Sequence, residues 1–270
     1  MTDSPARKGS KLQGRVALVT GGSRGIGAAI TRSLAEQGAT VAIGYGQDST
    51  RATAFREEMQ RTYPDSTFTI HPGNVGKAEQ ARQTVQDVID EHGRLDILVN
   101  NAGITRDRTV MKMEDEDWDA VIQVNLSGTF YMAQAALKHM VERGSGRIVN
   151  VSSIIGEMGN IGQANYAASK SGLFGLTKTL AREAVFYLER AGTLNEDGIG
   201  LTVNTVTPGY VNTEMVEAVP EKVLDKIKGK IPMARLANPD EVARVVHFLA
   251  ADKSSYITGQ VWGVNGGMDM

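Results

Sequence analysis

The stretch Arg15-Val16-Ala17-Leu18-Val19-Thr20-Gly21-Gly22-Ser23-Arg24-Gly25-Ile26-Gly27 decides the fold. Its first half is a short continuous apolar run, the pattern of a strand buried on both faces. Its second half is a glycine turn, after which apolar residues recur at helical spacing through Ala28, Ala29, Ile30, Leu34 and Ala35 until Gly38. Glycines at a strand–helix junction permit positive φ and let the backbone approach a pyrophosphate at the helix N-terminus. The spacing runs G-x-x-x-G-x-G through Gly21, Gly25 and Gly27, not G-x-G-x-x-G. An ordinary tight turn also uses glycine; the position at the first junction of a repeating strand–helix pattern gives this one a dinucleotide-binding meaning.

The same alternation continues outward. TVAIGY (residues 40–45) is a second strand, Ser49 to Arg61 a second helix, and TFTIHP, LDILVNN and GRIVNVSS are further apolar runs, each followed by a helical pattern. GLTVNTVTPG, a helical pair over roughly Glu214 to Ala251, and GQVWGVNGG complete the chain. This predicts an α/β protein: a single Rossmann-type doubly wound domain over residues 14–270, with about seven parallel strands and helices on both faces. Residues 1–13 are polar and basic without a period, the composition of a flexible tail. In such sheets ligands bind outside the carboxyl ends of the strands, where the strand order reverses.

Composition removes several classes. Of 270 residues, 29 are Lys or Arg and 31 are acidic, a net charge of −2, so no basic surplus exists for a nucleic-acid backbone. Cysteine is absent, which excludes disulfides, a thiolate nucleophile and Cys-bound metal. His71, His92, His139 and His247 are scattered, with no second His at metal-ligand spacing, so no metal site is expected. No apolar run approaches the roughly 18 residues of a membrane span, and MTDSPARKGSK lacks the apolar core of a signal peptide. A cytoplasmic protein is the expectation. Glycine is in excess, 30 of 270 residues, and it clusters just after the apolar runs, where a ligand is expected.

An NAD site usually offers a carboxylate after the second strand for the ribose 2′-hydroxyl. Here Gly44-Tyr45-Gly46 occupies that place, with no acid until Asp48. Arg24 and Arg51 are instead available for a 2′-phosphate, which points to NADPH/NADP+; either alone is also an ordinary solvated residue. Further along, Ser153 ends an apolar run, and Tyr166 and Lys170 follow at i and i+4, on one helix face. A free tyrosine has a pKa near 10, and a neighbouring ammonium is expected to lower it and make Tyr166 a proton donor to a carbonyl oxygen. Ser153 has the chemistry to hydrogen-bond the same oxygen. An exposed Tyr and Lys on an amphipathic helix is the bland alternative; the glycine turn in the same chain argues against it.

Taken together, TGGSRGIG, NNAG (Asn100 to Gly103), Asn125, Ser153, Tyr166 with Lys170, and Pro208-Gly209 resemble the short-chain dehydrogenase/reductase family from Gly14 onward. The resemblance implies Tyr166 as general acid, Ser153 as ligand of the carbonyl oxygen, Lys170 on the nicotinamide ribose, and Asn125 supporting a water in a proton relay. It implies a dinucleotide held by Gly21, Ser23, Arg24, Gly25, Ile26 and Gly27, by Asn101, Ala102 and Gly103, and by Pro208, Gly209, Val211 and Thr213, with Arg51 on the phosphate side. Asn74 stands before Val75 where the family commonly has Asp; it keeps an acceptor for the adenine amine without a charge. Family members commonly form homotetramers through the fourth and the Tyr-bearing helices.

Two subgroups compete for the substrate. MGNIGQANYAASKSG (Met158 to Gly172), GITRD (Gly103 to Asp107) and the terminal NGGMDM resemble 3-oxoacyl-acyl-carrier-protein reductases; Gly73-Asn74-Val75, TVNTVTPGYV and VLDKIKGKIP resemble acetoacetyl-CoA reductases of polyhydroxyalkanoate synthesis. Both imply reduction of a 3-oxoacyl thioester, on carrier protein or CoA, to the (3R)-hydroxy product, with Gln163 and Tyr210 as candidate substrate contacts; Gln163 merely filling a loop is the alternative. An extra polar stretch, Leu188 to Gly198, is expected to be an exposed loop. A dehydrogenase of another secondary alcohol would use the same catalytic residues. A non-catalytic dinucleotide-binding regulator would not need them.

Overall fold

The structure is a computed structural model, and it describes residues 12–195, 198–214 and 221–270. Seven strands form one sheet: β1 (Val16–Thr20), β2 (Thr40–Tyr45), β3 (Phe68–Pro72), β4 (Ile97–Asn100), β5 (Gly146–Val151), β6 (Leu201–Pro208) and β7 (Val261–Val264). Their order is β3-β2-β1-β4-β5-β6-β7 and every pairing is parallel. The order reverses between β1 and β4, so the crevice at their carboxyl ends is the expected ligand position.

Successive side chains of a strand face opposite ways, and both faces are covered. Ala17 and Val19 of β1 join Val41 and Ile43 of β2 in a core with α1 (Gly25–Glu36), α2 (Ser49–Thr62) and α9 (Pro239–Ala250). Val16 and Leu18 point to the other core, filled by Val85 and Val88 of α3 (Ala78–His92), Met132 and Met140 of α5 (Gly128–Glu142), and Leu180 of α7 (Ala164–Ala191). Short helices α4 (Asp115–Ile122), α6 (Ile155–Met158) and α8 (Glu221–Lys228) frame the carboxyl-end loops. The N-terminus of α9 is fixed by a capping box between Asn238 and Glu241 with Pro239 in its first turn.

Two boundaries differ from the sequence expectation. Leu12, assigned there to the tail, is fully buried in the core, and its N–H donates to Gln37 O at 2.9 Å. One apolar residue in a polar stretch has no periodicity to betray it. Residues 1–11 of the expected tail lie outside the described residues. The start of the expected loop at Leu188 continues α7 through Ala191, because Leu188 still faces the core; Gly192, at φ 68°, ends the helix in the left-handed conformation glycine tolerates. The rest of that stretch includes Glu196 and Asp197, outside the described residues, as does 215–220 within the expected helical pair.

Candidate active site

The glycine loop leaves β1 and enters α1. Gly21 and Gly25 have φ of 62° and 51°, the left-handed region that side-chain-bearing residues avoid. Gly27 is required for a different reason: a Cβ there would run into the Gly21 carbonyl oxygen and lie 2.6 Å from Asn101 Nδ2. The loop is bolted to the turn after β4. Asn101 Nδ2 donates to the carbonyl oxygens of Thr20 (3.0 Å) and Gly21 (3.2 Å), and Thr20 Oγ1 accepts from the Asn101 and Ala102 N–H groups, both at 3.0 Å. Thr20 is a structural member of this site that its motif position alone does not reveal. The helix N-terminus and the glycine backbone leading into it make a cradle that fits a pyrophosphate.

Arg24 precedes α1 and is exposed; Arg51 lies in the first turn of α2. Arg51 is already engaged: Nη1 meets Glu214 Oε2 at 2.6 Å and Nε lies 3.4 Å from Asp48 Oδ2. Asp48, the first acid after β2, also accepts the Arg51 N–H as helix cap. Thr213 abuts Gly25, with 3.5 Å between its Cγ2 and a Cβ placed there, so the residue next to Glu214 touches the glycine loop. Asn74 accepts from Gly76 N at 3.0 Å and is exposed, while Val75 packs against Gly128. Pro208 ends β6 and its carbonyl receives the Ile154 N–H, so the segment through Gly209 and the buried Val211 lies against the end of β5.

Ser153, Tyr166, Lys170 and Asn125 converge from three elements. Ser153 follows β5; its Oγ accepts from Ile155 N at 3.2 Å and shares a hydrogen bond with the Tyr166 phenol. Lys170 is fully buried one turn beyond Tyr166, with Nζ 5.7 Å from the Tyr ring centroid and 2.8 Å from Val151 O. Ser152 Oγ donates to Lys170 O at 2.7 Å, which stitches the end of β5 to α7. Burial lowers the Lys170 pKa to about 8. Burial also raises the Tyr166 pKa, and the Ser153 hydrogen bond only partly offsets it. The expected lowering by the ammonium is therefore corrected: in this chain desolvation of the phenol prevails. A tyrosine so placed stays protonated and loaded as an acid.

Asn125 sits not in a regular helix but in a π-helical turn, Gln123–Ser127, closed by the Gly128 N–H on Gln123 O. Its side chain clamps the backbone of Ile104 from both sides, accepting from N at 2.9 Å and donating to O at 3.0 Å, and donates to Ser169 Oγ. A Cβ at Gly103 would lie 3.3 Å from Asn125 Oδ1 and 3.5 Å from Lys170 Nζ, so the glycine keeps the space between those two groups free of a side chain. Asn165, unsuspected from sequence, is fully buried and pins the start of α7 to the Arg106 and Asp117 carbonyls. Gln163 is tied to Asp107 (3.1 Å) and Asn160 (2.9 Å), positions that favour a loop-bracing role. Tyr210 lines a cavity of about 270 Å³ with Ile231, Met233, Arg235 and Asn265.

A family model described as enoyl-(acyl carrier protein) reductase matches residues 21–269. The chain is 43% identical over 258 residues to the 3-oxoacyl-[acyl-carrier-protein] reductase FabG of Thermotoga maritima, covering 96% of this chain and 99% of that protein. It is 44% identical over 254 residues to the protein of that name from Staphylococcus aureus (94% and 98% covered), and 43% over 258 residues to that of Aquifex aeolicus (96% and 98%). The chain belongs to the short-chain dehydrogenase/reductase family.

Membership makes this short-chain dehydrogenase/reductase an oxidoreductase that uses a nicotinamide dinucleotide. The family's motifs fall at the carboxyl ends of β1, β4, β5 and β6, around the strand-order reversal. No described helix is long and apolar enough to cross a membrane.

Proposed function

We propose that the chain reduces a 3-oxoacyl thioester to the (3R)-3-hydroxyacyl thioester with NADPH, as a 3-oxoacyl-acyl-carrier-protein reductase. The observation that carries it is the Tyr166–Ser153 hydrogen bond above the buried Lys170, in a chain alike over almost its whole length to reductases of that name. When bound, the nicotinamide supplies hydride to the carbonyl carbon. Ser153 Oγ accepts the Ile155 N–H on one of its two lone pairs and keeps its own proton to offer the carbonyl oxygen. Tyr166 donates the proton that oxygen needs as negative charge develops on it, and Lys170 stabilises the phenolate left behind. Asn125 fixes Ile104 and borders the space beside Lys170 Nζ through which a water relays the replacement proton.

The dinucleotide is placed on Gly21, Ser23, Gly25, Ile26 and Gly27, with the Asn101–Gly103 turn, Asn74, Val75 and the Pro208–Thr213 segment along its length. NADPH is supported by the pairing of Asp48, the first acid after β2, with Arg51, and by the exposed Arg24 at the start of α1. A 2′-phosphate would take the Glu214 carboxylate's place on Arg51. We further assign the protein to the cytoplasm as a homotetramer, with exposed Phe130 of α5 and Phe186 of α7 in its contacts.

NADPH consumption measured with acetoacetyl-carrier protein beside acetoacetyl-CoA, and NADH as control, tests this. Preference for the carrier-protein ester is expected. Equal or better turnover of the CoA ester would assign it to the acetoacetyl-CoA reductases, and activity on neither would leave a dehydrogenase of another secondary alcohol.

A further inference from the structure

We propose that His71, Glu91 and His92 form a binding site for a divalent transition-metal ion of the Zn²⁺ class, at the free edge of the sheet and apart from the catalytic residues. The two histidines, far apart in sequence, are brought together by the fold: one nitrogen from each ring and a Glu91 carboxylate oxygen all lie within 4.8 Å of one another. The convergence has a common focus. Thr69 Oγ1 lies 2.9 Å from His71 Nε2 and 3.0 Å from His92 Nε2, and Glu91 Oε2 is 3.4 Å from His71 Nε2.

Elementary geometry produces this cluster. Thr69 and His71 are two residues apart on β3, so they face the same side, and β3 is an edge strand with no strand paired beyond it among the described residues. Glu91 and His92 occupy the last turn of α3, which Gly93 ends in the left-handed conformation. Unpaired carbonyls make a helix C-terminus negative, a setting that favours a cation. Asp87, one turn earlier, adds to that potential at His71.

The donor set selects the metal. Two imidazoles and one carboxylate, with room for a hydroxyl or water, are the ligands Zn²⁺ takes in tetrahedral sites, whereas Mg²⁺ and Ca²⁺ take oxygens. A threonine has one proton to give, so at most one of the two rings accepts it and the other must donate to the hydroxyl oxygen. Binding the ion requires the donors to close in to about 2.0–2.2 Å from one centre. Glu91 is half exposed and His92 partly so, and both are free to make that movement; buried His71 is the fixed point.

Titration of the untagged full chain with Zn²⁺ by calorimetry, and with Co²⁺ by visible absorption, tests the site. One ion per chain is expected, with the intense visible bands of four-coordinate Co²⁺ and a rise in melting temperature on adding Zn²⁺. His92→Ala should weaken binding at least about tenfold, since even the loss of a ligand's outer partner costs that much, and should abolish the melting shift. Glu91→Ala, at a half-exposed position, gives the same readout without risk to folding. No stoichiometric binding, or binding unchanged in both variants, would overturn the proposal.

Discussion

An ammonium group as deeply buried as that of Lys170 opposes folding whenever it carries its charge. Its pKa falls to about 8 in the folded chain from 10.5 when exposed. Below pH 8 both states are charged and the full cost is present; between pH 8 and 10.5 the unfolded chain holds the proton and the folded chain does not, so this contribution to stability improves as pH rises. Lys170→Met should therefore melt at the same or a higher temperature than the parent while losing reductase activity, a trade often found at functional sites. A clear fall in melting temperature would contradict the burial argument. Tyr166→Phe should reduce turnover by about 10²–10⁴-fold with dinucleotide affinity, read by fluorescence titration, nearly unchanged. Near-full activity would refute its role as the acid. Ser153, Tyr166 and Lys170 were legible in the sequence because the chemistry needs those residue types at fixed spacing. Thr20 and Asn165 were not, because their task is to hold backbone groups that only the fold brings near.

Strands and the helices between them were legible because a sheet covered on both faces writes continuous apolar runs. What escaped was set by tertiary contact: the extra turn of α7, kept helical by buried Leu188, and the convergence of β3 and the end of α3 on one hydroxyl. The junction of β1 with α1 shows how tightly elements meet. Gly27→Ala would push a methyl group against the Gly21 carbonyl and Asn101. The expected cost is about 1–3 kcal/mol in urea unfolding, with a larger loss in dinucleotide affinity because the displaced backbone forms the cradle. Wild-type affinity in that variant would show that the loop tolerates movement.

For the whole molecule, the single seven-stranded parallel sheet was legible in the unbroken alternation, whereas assembly was not, since apolar helix faces look alike whether they meet a sheet or a partner. Phe130 and Phe186 are 38% and 49% exposed. Phe186→Asp should shift the mass in analytical ultracentrifugation from tetramer to smaller species; a monomeric parent would remove the assembly proposal. Length is another whole-molecule matter, and the π-helical turn at Asn125 makes it acute. Deleting one residue within Gln123–Ser127 would relieve the irregularity and let α4 run into α5 as one ordinary helix. Yet a residue advances an α-helix by about 100° and 1.5 Å, so the deletion would swing Asn125 off Ile104 or drag α5 out of register with α3 and α7. Losing one residue from this turn should therefore harm the site more than exchanging a side chain within it.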